Sequence, residues 1–370
     1  MSRALQRCSG RVQEVDYVKQ KMQKHINLTI FLVVLLTVCI SVPIAYFLGL
    51  SNATVYTVIK EPIYVNPTVT VFKVGSTYYA INSLTGVNYS SVDAITVIQN
   101  AIDDLAKTGG GVVLLRSGIY TISKPIIIKS NIWLKGEGPH NTILTPSEKF
   151  SGSGQLAIIK NEHYETIPAD GNITITGLGI NGKKILCGSR RIGGINIHGS
   201  TMSTPDFYVE NVRIDNLYIC DMSADGLNYR CVKDSFITNM KVERCGTTNL
   251  DHGVYLKRVR NMFLSNIHVY ETTGMRAFKI DSEVYDLQMQ NCKAEKSKDH
   301  GLRLADVTRA TISNFISIDN GGMGAWITDS KQLVISGIFA YNQLSQIEFR
   351  NVNDTRLDVI CINKTRIRRE

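Results

Sequence analysis

The longest apolar stretch of the chain lies near its start. Residues 26–50 contain no Asp, Glu, Lys or Arg, and a segment of this length can cross the hydrocarbon core of a bilayer as a helix. Six Lys and Arg residues precede it against one Glu and one Asp, and the first lysine after it is Lys60. The positive-inside rule then keeps the N-terminus in the cytoplasm and exports the chain after about residue 50. A cleaved signal peptide is the alternative, but its apolar region is usually shorter, so we predict a retained single-pass anchor.

The polar and apolar pattern changes period twice after this segment. Residues 51–90 alternate β-branched and polar residues between turn signals, which predicts a short stalk leading into a few strands. Ser91 can then cap a helix near residues 92–107, and Gly109 to Gly111 can end it. Apolar side chains recur there at helical spacing, at Ile95, Ile98, Ala101, Ile102 and Leu105. Short apolar runs separated by turn residues follow, and these predict strands.

From about residue 172 the strand pattern repeats. Each unit holds one strand with Asn or Gly before an apolar residue and a second apolar strand after it. A unit of about 24 residues with two or three short strands is typical of one coil of a parallel β-helix. Asn is the residue expected to form side-chain ladders or to accept left-handed backbone at the coil corners. The recurring residues are Asn216, Asn239, Asn266, Asn291 and Asn314.

The string Asp-His-Gly occurs at residues 251–253 and returns at residues 299–301. The separation of 48 residues equals two coils of 24. The second string is therefore predicted to occupy the same position as the first, two coils further along the stack. The repetition then reflects the repeating fold.

Residues 93–144 resemble the N-terminal part of the pectate-lyase-like right-handed β-helix proteins. The resemblance is carried by GGGVVLLRSGIY, by LKGEG and by the TIL that follows it, and it extends over roughly residues 75–360. It implies an all-β, single-stranded right-handed parallel β-helix whose N-terminal α-helix caps the hydrophobic end of the coil stack. This scaffold serves lyases, hydrolases, epimerases and surface proteins without known chemistry, so the resemblance specifies the fold better than the function.

Residues at the same position of successive coils should form a line on one face, because coils stack about 4.8 Å apart. The position before the recurring Gly or Ala carries Asp225, His252, Arg276 and His300. The position before that one carries Asp251 and Asp299 among others. Two places after the Gly or Ala come Asn228, Tyr255, Lys279 and Arg303. Acids, histidines, cations and a tyrosine are thus predicted to meet on one patch.

The same positions are similar to the active-site face of polygalacturonases, whose successive coils carry N-T-D-G, D-D, G-H-G and R-I-K strings. The resemblance puts Asp225 at the aspartate of the first string and Asp251 at the first aspartate of the second, the general acid of that family. Arg303 falls at the arginine of the fourth string. The full hydrolase set is absent, because three positions depart from the pattern, namely His252, Arg276 and Ala305.

The patch predicts a carbohydrate-active site with Asp225, Asp251 and His252 as catalytic residues. Two separated carboxyl groups could serve as acid and water-activating base, and a histidine could act as base at neutral pH. A lyase or epimerase would instead need a base near the sugar C5, with the charge neutralised by Ca²⁺ or arginine. No dense acidic calcium cluster is visible, so Ca²⁺ is expected only for a lyase and no other cofactor or metal is predicted. The residues expected to bind the sugar are Tyr255, Arg276, Lys279, His300 and Arg303.

The alternative is a non-catalytic surface or envelope protein that binds glycan, or builds structure, through the same face. Polar residues at coil corners often only hydrogen-bond their own turns, and outward Lys, Arg and Tyr are ordinary solvated residues. Trp326, on the strand two coils beyond Arg276, could stack on a sugar ring, but packing at the core or edge is the favoured prediction. Side chains facing a groove would favour chemistry over this alternative.

The net charge of +9 suits an acidic polymer or an anionic lipid surface. No basic stripe interleaved with aromatic residues appears, so no nucleic-acid partner is predicted. Six of the eight cysteines follow the apolar segment, without CxxC pairs, and buried thiols are expected for most of them. Five N-x-S/T sequons agree with export, at Asn52, Asn88, Asn172, Asn353 and Asn363.

The pattern divides the chain into four parts. They are a basic cytoplasmic tail at 1–25, a transmembrane helix at 26–50, a stalk with the first strands at 51–90, and an extracellular parallel β-helix at 91–370. A polysaccharide or cell-surface glycan is the predicted partner. The pattern leaves the oligomeric state open.

Overall fold

The computed structural model describes residues 69–83, 85–86, 88–200 and 207–362. The predicted tail, the predicted transmembrane helix and the stalk up to residue 68 lie outside the described residues. Within the described part of the chain, no helix is long and apolar enough to cross a membrane.

The described residues form one sheet system of twenty strands and one α-helix, α1, at Ala94–Lys107. The strands are β1 (Val69–Val74), β2 (Thr77–Asn82), β3 (Asn88–Ser91), β4 (Gly111–Leu115), β5 (Gly118–Ile122), β6 (Ile126–Ile128), β7 (Ile132–Gly136), β8 (Thr142–Pro146), β9 (Leu156–Asn161), β10 (Gly171–Asn181), β11 (Leu186–Cys187), β12 (Arg190–His198), β13 (Val209–Cys220), β14 (Leu227–Glu243), β15 (Val254–Tyr270), β16 (Phe278–Gln290), β17 (Lys293–Glu295), β18 (Leu302–Ile318), β19 (Ala325–Ala340) and β20 (Ile347–Ile362).

Helix α1 caps the N-terminal end of the stack, as the resemblance implied. Its apolar face, which includes Ile98, Ile102 and Leu105, is buried against the first strands. Its start differs from the prediction. The N-cap is Asp93, whose carboxylate accepts the N–H of Ile95 at 3.3 Å, while Ser91 accepts the N–H of Asp93 instead. Asp and Ser are about equally favoured as N-caps, so residue type does not distinguish them. Asp93 is the cap because it directly precedes the first helical residue, Ala94.

Strands β1, β2 and β3 form an antiparallel meander that leads into the stack. Strand β1 also pairs in parallel with β4, where Val69 lies opposite Val113. The few strands predicted before the helix are therefore present from residue 69 onward, and they extend the sheet to the first coil.

Successive coils pair in parallel and in register. Val254 lies opposite Phe278, and Phe278 lies opposite Leu302, so each of these steps is 24 residues. The N–H of Gly253 donates to the carbonyl of Arg276, and the N–H of Ala277 donates to that of His300. The two Asp-His-Gly strings are therefore two coils apart, as predicted. Inward side chains of each coil stack into one continuous core, in which a fully buried Leu, Ile or Phe contributes about 1.5–3 kcal/mol.

The strands of the later coils are longer than predicted because hydrogen bonding continues through single-residue corners. The five recurring Asn residues have φ between 50° and 55°, as predicted for left-handed corners. Asn266 donates its side-chain N–H to the Oδ1 of Asn239 at 3.0 Å, and Asn314 donates to Asn291 at 3.2 Å. The side-chain ladder offsets the roughly 1–2 kcal/mol that left-handed backbone costs an ordinary residue.

We predict that Asn266→Ala lowers the free energy of unfolding by about 1–2 kcal/mol. The substitution removes the side-chain hydrogen bond to Asn239 and leaves a residue that has a Cβ atom in left-handed backbone. Asn266→Gly should cost less, since glycine accepts this backbone freely. Urea denaturation would measure both variants. Asn353→Ala, at an exposed position, serves as control and should stay within about 0.5 kcal/mol of the parent. Equal effects of Ala and Gly at residue 266 would contradict the backbone argument.

Candidate active site

The predicted column of outward side chains is present. Strand pairing places Asn228 opposite Tyr255, Tyr255 opposite Lys279, and Lys279 opposite Arg303. The column continues in both directions beyond the predicted residues, to Asn196 and Lys160 before it and to Trp326 after it. Inward neighbours such as Leu227, Val254 and Leu256 are fully buried, so the column lies on the outer face of the sheet.

Asp225 is a buried carboxyl group beside this column. One oxygen accepts the side-chain N–H of Asn228 at 2.7 Å, and the other accepts the backbone N–H of His252 at 2.6 Å. Burial raises the pKa of Asp225 to about 7, although both hydrogen bonds favour the ionised form. The group can therefore hold or release a proton near neutral pH.

Asp251 is committed to protein donors. One oxygen pairs with the guanidinium of Arg191. The other accepts the backbone N–H of Thr247 at 3.0 Å, and the N–H and hydroxyl of Thr248 at 2.8 and 3.0 Å. The carboxylate thus organises its own turn and fastens it to strand β12. Its predicted role as general acid stays a prediction.

His252 is a neutral base enclosed by the site. The side chain is 2% exposed, and its ring meets the ring of Tyr255 edge-on at 5.3 Å. Burial, together with the charges of Lys279 and Arg276, lowers the pKa of His252 to about 3. Nδ1 has no hydrogen-bond partner in the part of the chain that the structure describes. A buried polar atom without a partner is rare in folded proteins and often marks a functional group.

Two cations and a phenol surround His252. Lys279 lies 4.4 Å from the ring centroid of Tyr255 and 3.2 Å from the carboxylate of Asp281. Arg276 is mostly buried, with its Nε 3.5 Å from Asp299. Burial raises the pKa of Tyr255, so its phenol stays protonated at neutral pH. The structure therefore brings Tyr255, Arg276 and Lys279 together around the imidazole.

His300 and Arg303 form a second group further along the column. The Nδ1 of His300 accepts the backbone N–H of Met323 at 2.9 Å, and its ring meets Trp326 edge-on at 5.3 Å. The guanidinium of Arg303 lies 4.0 Å above the ring of Trp326 and donates to Thr328 at 2.9 Å. Trp326 is half-buried, as favoured by the sequence, and Arg303 covers one of its faces.

A buried polar network on the N-terminal side was missed from the sequence. Glu165 accepts from Arg230 at 2.7 Å and lies 3.1 Å from the Nδ1 of His198. The other ring nitrogen of His198 lies 3.0 Å from the Oδ1 of Asn228, whose side-chain nitrogen donates to Asp225. Part of the signal was available, because residues 195–198 alternate apolar and polar residues in the same way as the later coils.

One group of side chains has the composition of a metal site. Glu162, His163 and Asp170 bring potential ligand atoms within 4.8 Å of one another. The carboxylate of Asp170 already accepts from the side chain of Asn161 and from the backbone N–H of His163, both at 2.8 Å. These bonds account for the grouping without an ion, and we assign no metal to it.

The cysteines carry no chemistry of this site. Among the described residues there is no disulfide, and Cys220, Cys245 and Cys292 are buried thiols, as expected. Burial raises the pKa of Cys245 to about 12 and that of Cys292 to about 11, so both stay protonated. Cys361 is exposed and Cys187 is half-buried.

A parallel β-helix with a polar column on one outer face defines the class of this protein. Residues 87–326 match the family described as "Rhamnogalacturonase A/epimerase, pectate lyase-like", and the chain belongs to this family. The right-handed coil direction implied by the sequence resemblance is confirmed. No curated protein matches the chain.

Solved structures share the fold at low sequence identity. The A-module of a mannuronan C-5 epimerase from Azotobacter vinelandii matches with a TM-score of 0.62 and 18% identity, over 72% of this chain and 71% of that chain. ORF18 of Geobacillus virus E2 matches with a TM-score of 0.52 and 16% identity, over 73% and 58%. The pre-mature gene product 12 of bacteriophage phi29 matches with a TM-score of 0.50 and 15% identity, over 72% and 40%. Identities this low show the fold alone.

We predict that Asp225→Asn changes how stability depends on pH. Because the pKa of Asp225 is raised from 3.8 to about 7, the unfolded chain releases this proton at lower pH than the folded protein. The stabilising contribution of the proton is full below about pH 4 and is lost as the pH rises to about 7. The variant lacks this loss, so its stability relative to the parent should increase over the same interval.

Urea denaturation between about pH 4 and pH 8 measures this effect. Asp329→Asn is the control, since hydrogen bonds from Asn351 and Thr328 lower the pKa of Asp329 and it is ionised in both states above about pH 5. Parallel stability curves for the parent and Asp225→Asn would show that Asp225 does not retain its proton.

Proposed function

We propose that the protein acts on an acidic polysaccharide and removes the C5 proton of a uronate ring. The proposed outcome is epimerisation or elimination within the polymer. Family membership supports a carbohydrate substrate, and the structural relative from Azotobacter acts, by its name, on mannuronan. The net charge of +9 fits a polyanionic partner.

The observation that carries the proposal is the state of His252. Its imidazole is neutral, its Nδ1 lacks a partner among the described residues, and Arg276 and Lys279 lie beside it. Proton removal next to a carboxylate needs an unprotonated base together with cations that stabilise the negative charge developing on the carboxylate. The arrangement supplies both, and a charged imidazole could not accept the proton.

The proton balance of the step is simple. The Nδ1 of His252 takes the proton from C5, and the electron pair moves into the carboxylate held by Arg276 and Lys279. Tyr255 is a protonated phenol and can return a proton to the opposite face of C5, which gives the epimer. If the phenol instead protonates the departing O4, the bond from C4 to O4 breaks and a 4,5-unsaturated ring results.

Access to His252 requires motion, because the side chain is 2% exposed. The neighbour in edge contact is Tyr255, and Lys279 lies over that ring. We expect a sugar carboxylate to draw Lys279 away from Asp281 and to let the phenol rotate. Binding would thus expose the base only when the acidic substrate is present.

Hydrolysis is the second candidate, favoured by Asp225. A carboxyl group with a pKa of about 7 can protonate a leaving glycosidic oxygen, as the general acid of a glycosidase does. Asp251 does not offer a free oxygen to activate the water, since both of its carboxylate oxygens are held by protein donors. A non-catalytic glycan-binding role is the remaining alternative.

We also propose that residues 26–50 anchor the protein in the cell membrane, with the N-terminus in the cytoplasm and the β-helix outside. The support is the uncharged length of the segment and the excess of Lys and Arg before it. The exposed positions of Asn88, Asn172 and Asn353, each the first residue of a sequon, agree with an external domain.

We predict that His252→Gln abolishes proton exchange at C5. Full-length protein in mild detergent would be incubated in D₂O with polymannuronate and with polygalacturonate. NMR would detect deuterium at C5, absorbance would detect unsaturated uronate, and a reducing-end assay would detect hydrolysis. Loss of a general base should lower the exchange rate at least about 100-fold.

His268→Gln is the matched control. His268 lies in another column, 3.1 Å from Glu295, and its loss should leave the rate unchanged. New reducing ends without deuterium or absorbance, lost in Asp225→Asn, would replace the proposal with hydrolysis. Binding without any of the three products would place the protein among non-catalytic glycan-binding proteins.

The orientation across the membrane has its own test. In cells expressing the chain with an epitope at each end, external protease should digest the C-terminal epitope and spare the N-terminal one. Deletion of residues 26–50 should move the protein out of the membrane fraction. An N-terminal epitope digested in intact cells would contradict the proposed orientation.

A further inference from the structure

We propose that Lys160 and Asn196 form a second sugar subsite, which binds the carboxylate and a hydroxyl of a ring further along the same acidic chain. This inference rests on the proposed function, because it assigns a second contact to the substrate that His252 acts on. It places the polysaccharide parallel to the axis of the coil stack.

Lys160 is a buried lysine on which the charge of Glu165 acts from beyond ion-pair distance. Its side chain is 7% exposed, and Nζ lies 3.9 Å from the ring centroid of Tyr164. Among the residues that the structure describes, Lys160 forms no ion pair, and the nearby Glu165 is engaged by Arg230 and His198. A charge this enclosed is costly unless an anion balances it, and a sugar carboxylate would do so.

Asn196 supplies the second, independent feature. It is 1% exposed, and its Oδ1 has no hydrogen-bond partner within residues 69–83, 85–86, 88–200 and 207–362. The oxygen faces Gly193, where an added Cβ would lie 3.1 Å from it. An added side chain there would also lie 3.3 Å from the carbonyl oxygen of Asp225, so hydrogen-bond acceptors line the position next to Gly193. A sugar hydroxyl is a donor of the right kind for that acceptor.

Strand register connects this subsite to the reaction centre. Lys160, Asn196, Asn228 and Tyr255 occupy one column on successive strands β9, β12, β14 and β15. Three strand spacings of about 4.8 Å separate Lys160 from Tyr255, or roughly 14 Å. A pyranose ring of an extended polymer has about the length of one such spacing. An acidic chain with a ring at His252 would therefore reach Lys160 with its third ring beyond it.

The test is binding as a function of oligomer length. Isothermal titration calorimetry on the full-length protein would use oligomannuronates and oligogalacturonates from dimer to hexamer. Tetramers and longer oligomers should bind more tightly than dimers. Lys160→Met should weaken the binding of the longer oligomers about tenfold, the loss expected for one buried charge-assisted contact, and leave dimers unchanged.

Two further variants keep the result interpretable. Gly193→Ala places a methyl group before the Asn196 oxygen without altering Lys160, and should also weaken only the longer oligomers. Lys233→Met removes a lysine paired with Glu210 in another column and should change nothing. If both site variants retain the parent's length dependence while proton exchange at C5 persists, the subsite is wrong and the proposed function stands. If no uronate oligomer binds the parent protein, both fail together.

Discussion

The whole arrangement depends on the parallel hydrogen bonding that holds each coil about 4.8 Å from the next. Because the register is kept from coil to coil, a residue position in the repeat becomes a line on the surface. The corners are held by Asn residues in left-handed backbone, which fix where one face ends and the next begins. The chemistry of the candidate site depends on which side chains occupy the same position on successive coils.

Burial then decides what those side chains can do. The same loss of solvent that raises the pKa of Asp225 lowers the pKa of His252, because each group avoids its charged form. An acid that holds its proton up to about pH 7 and a neutral base are thereby produced on adjacent coils, next to two cations that face Asp281 and Asp299.

The sequence predicted the architecture well because the repeat is visible in one dimension. The coil period, the capping helix and the column of Tyr255, Lys279 and Arg303 all follow from apolar spacing and strand geometry. It could not predict that the guanidinium of Arg191 would pair with the carboxylate of Asp251, because the two residues are 60 positions apart in the sequence. The Glu165–His198–Asn228 network was missed for a different reason, as the repeat is less regular before residue 209. Spacing identifies a column, but it does not say which side chains turn back onto the protein.

The central claim is that the imidazole of His252 is neutral and lies beside the cations of Lys279 and Arg276. NMR of isotope-labelled histidine side chains in the full-length protein tests this most directly, with the His252 signal assigned by its absence from His252→Gln. The account predicts that the imidazole stays neutral down to about pH 4, since its pKa lies near 3. A signal that titrates near the ordinary histidine pKa of about 6.5 would contradict it. Such a signal would show an imidazole open to solvent and remove the basis for His252 as the base.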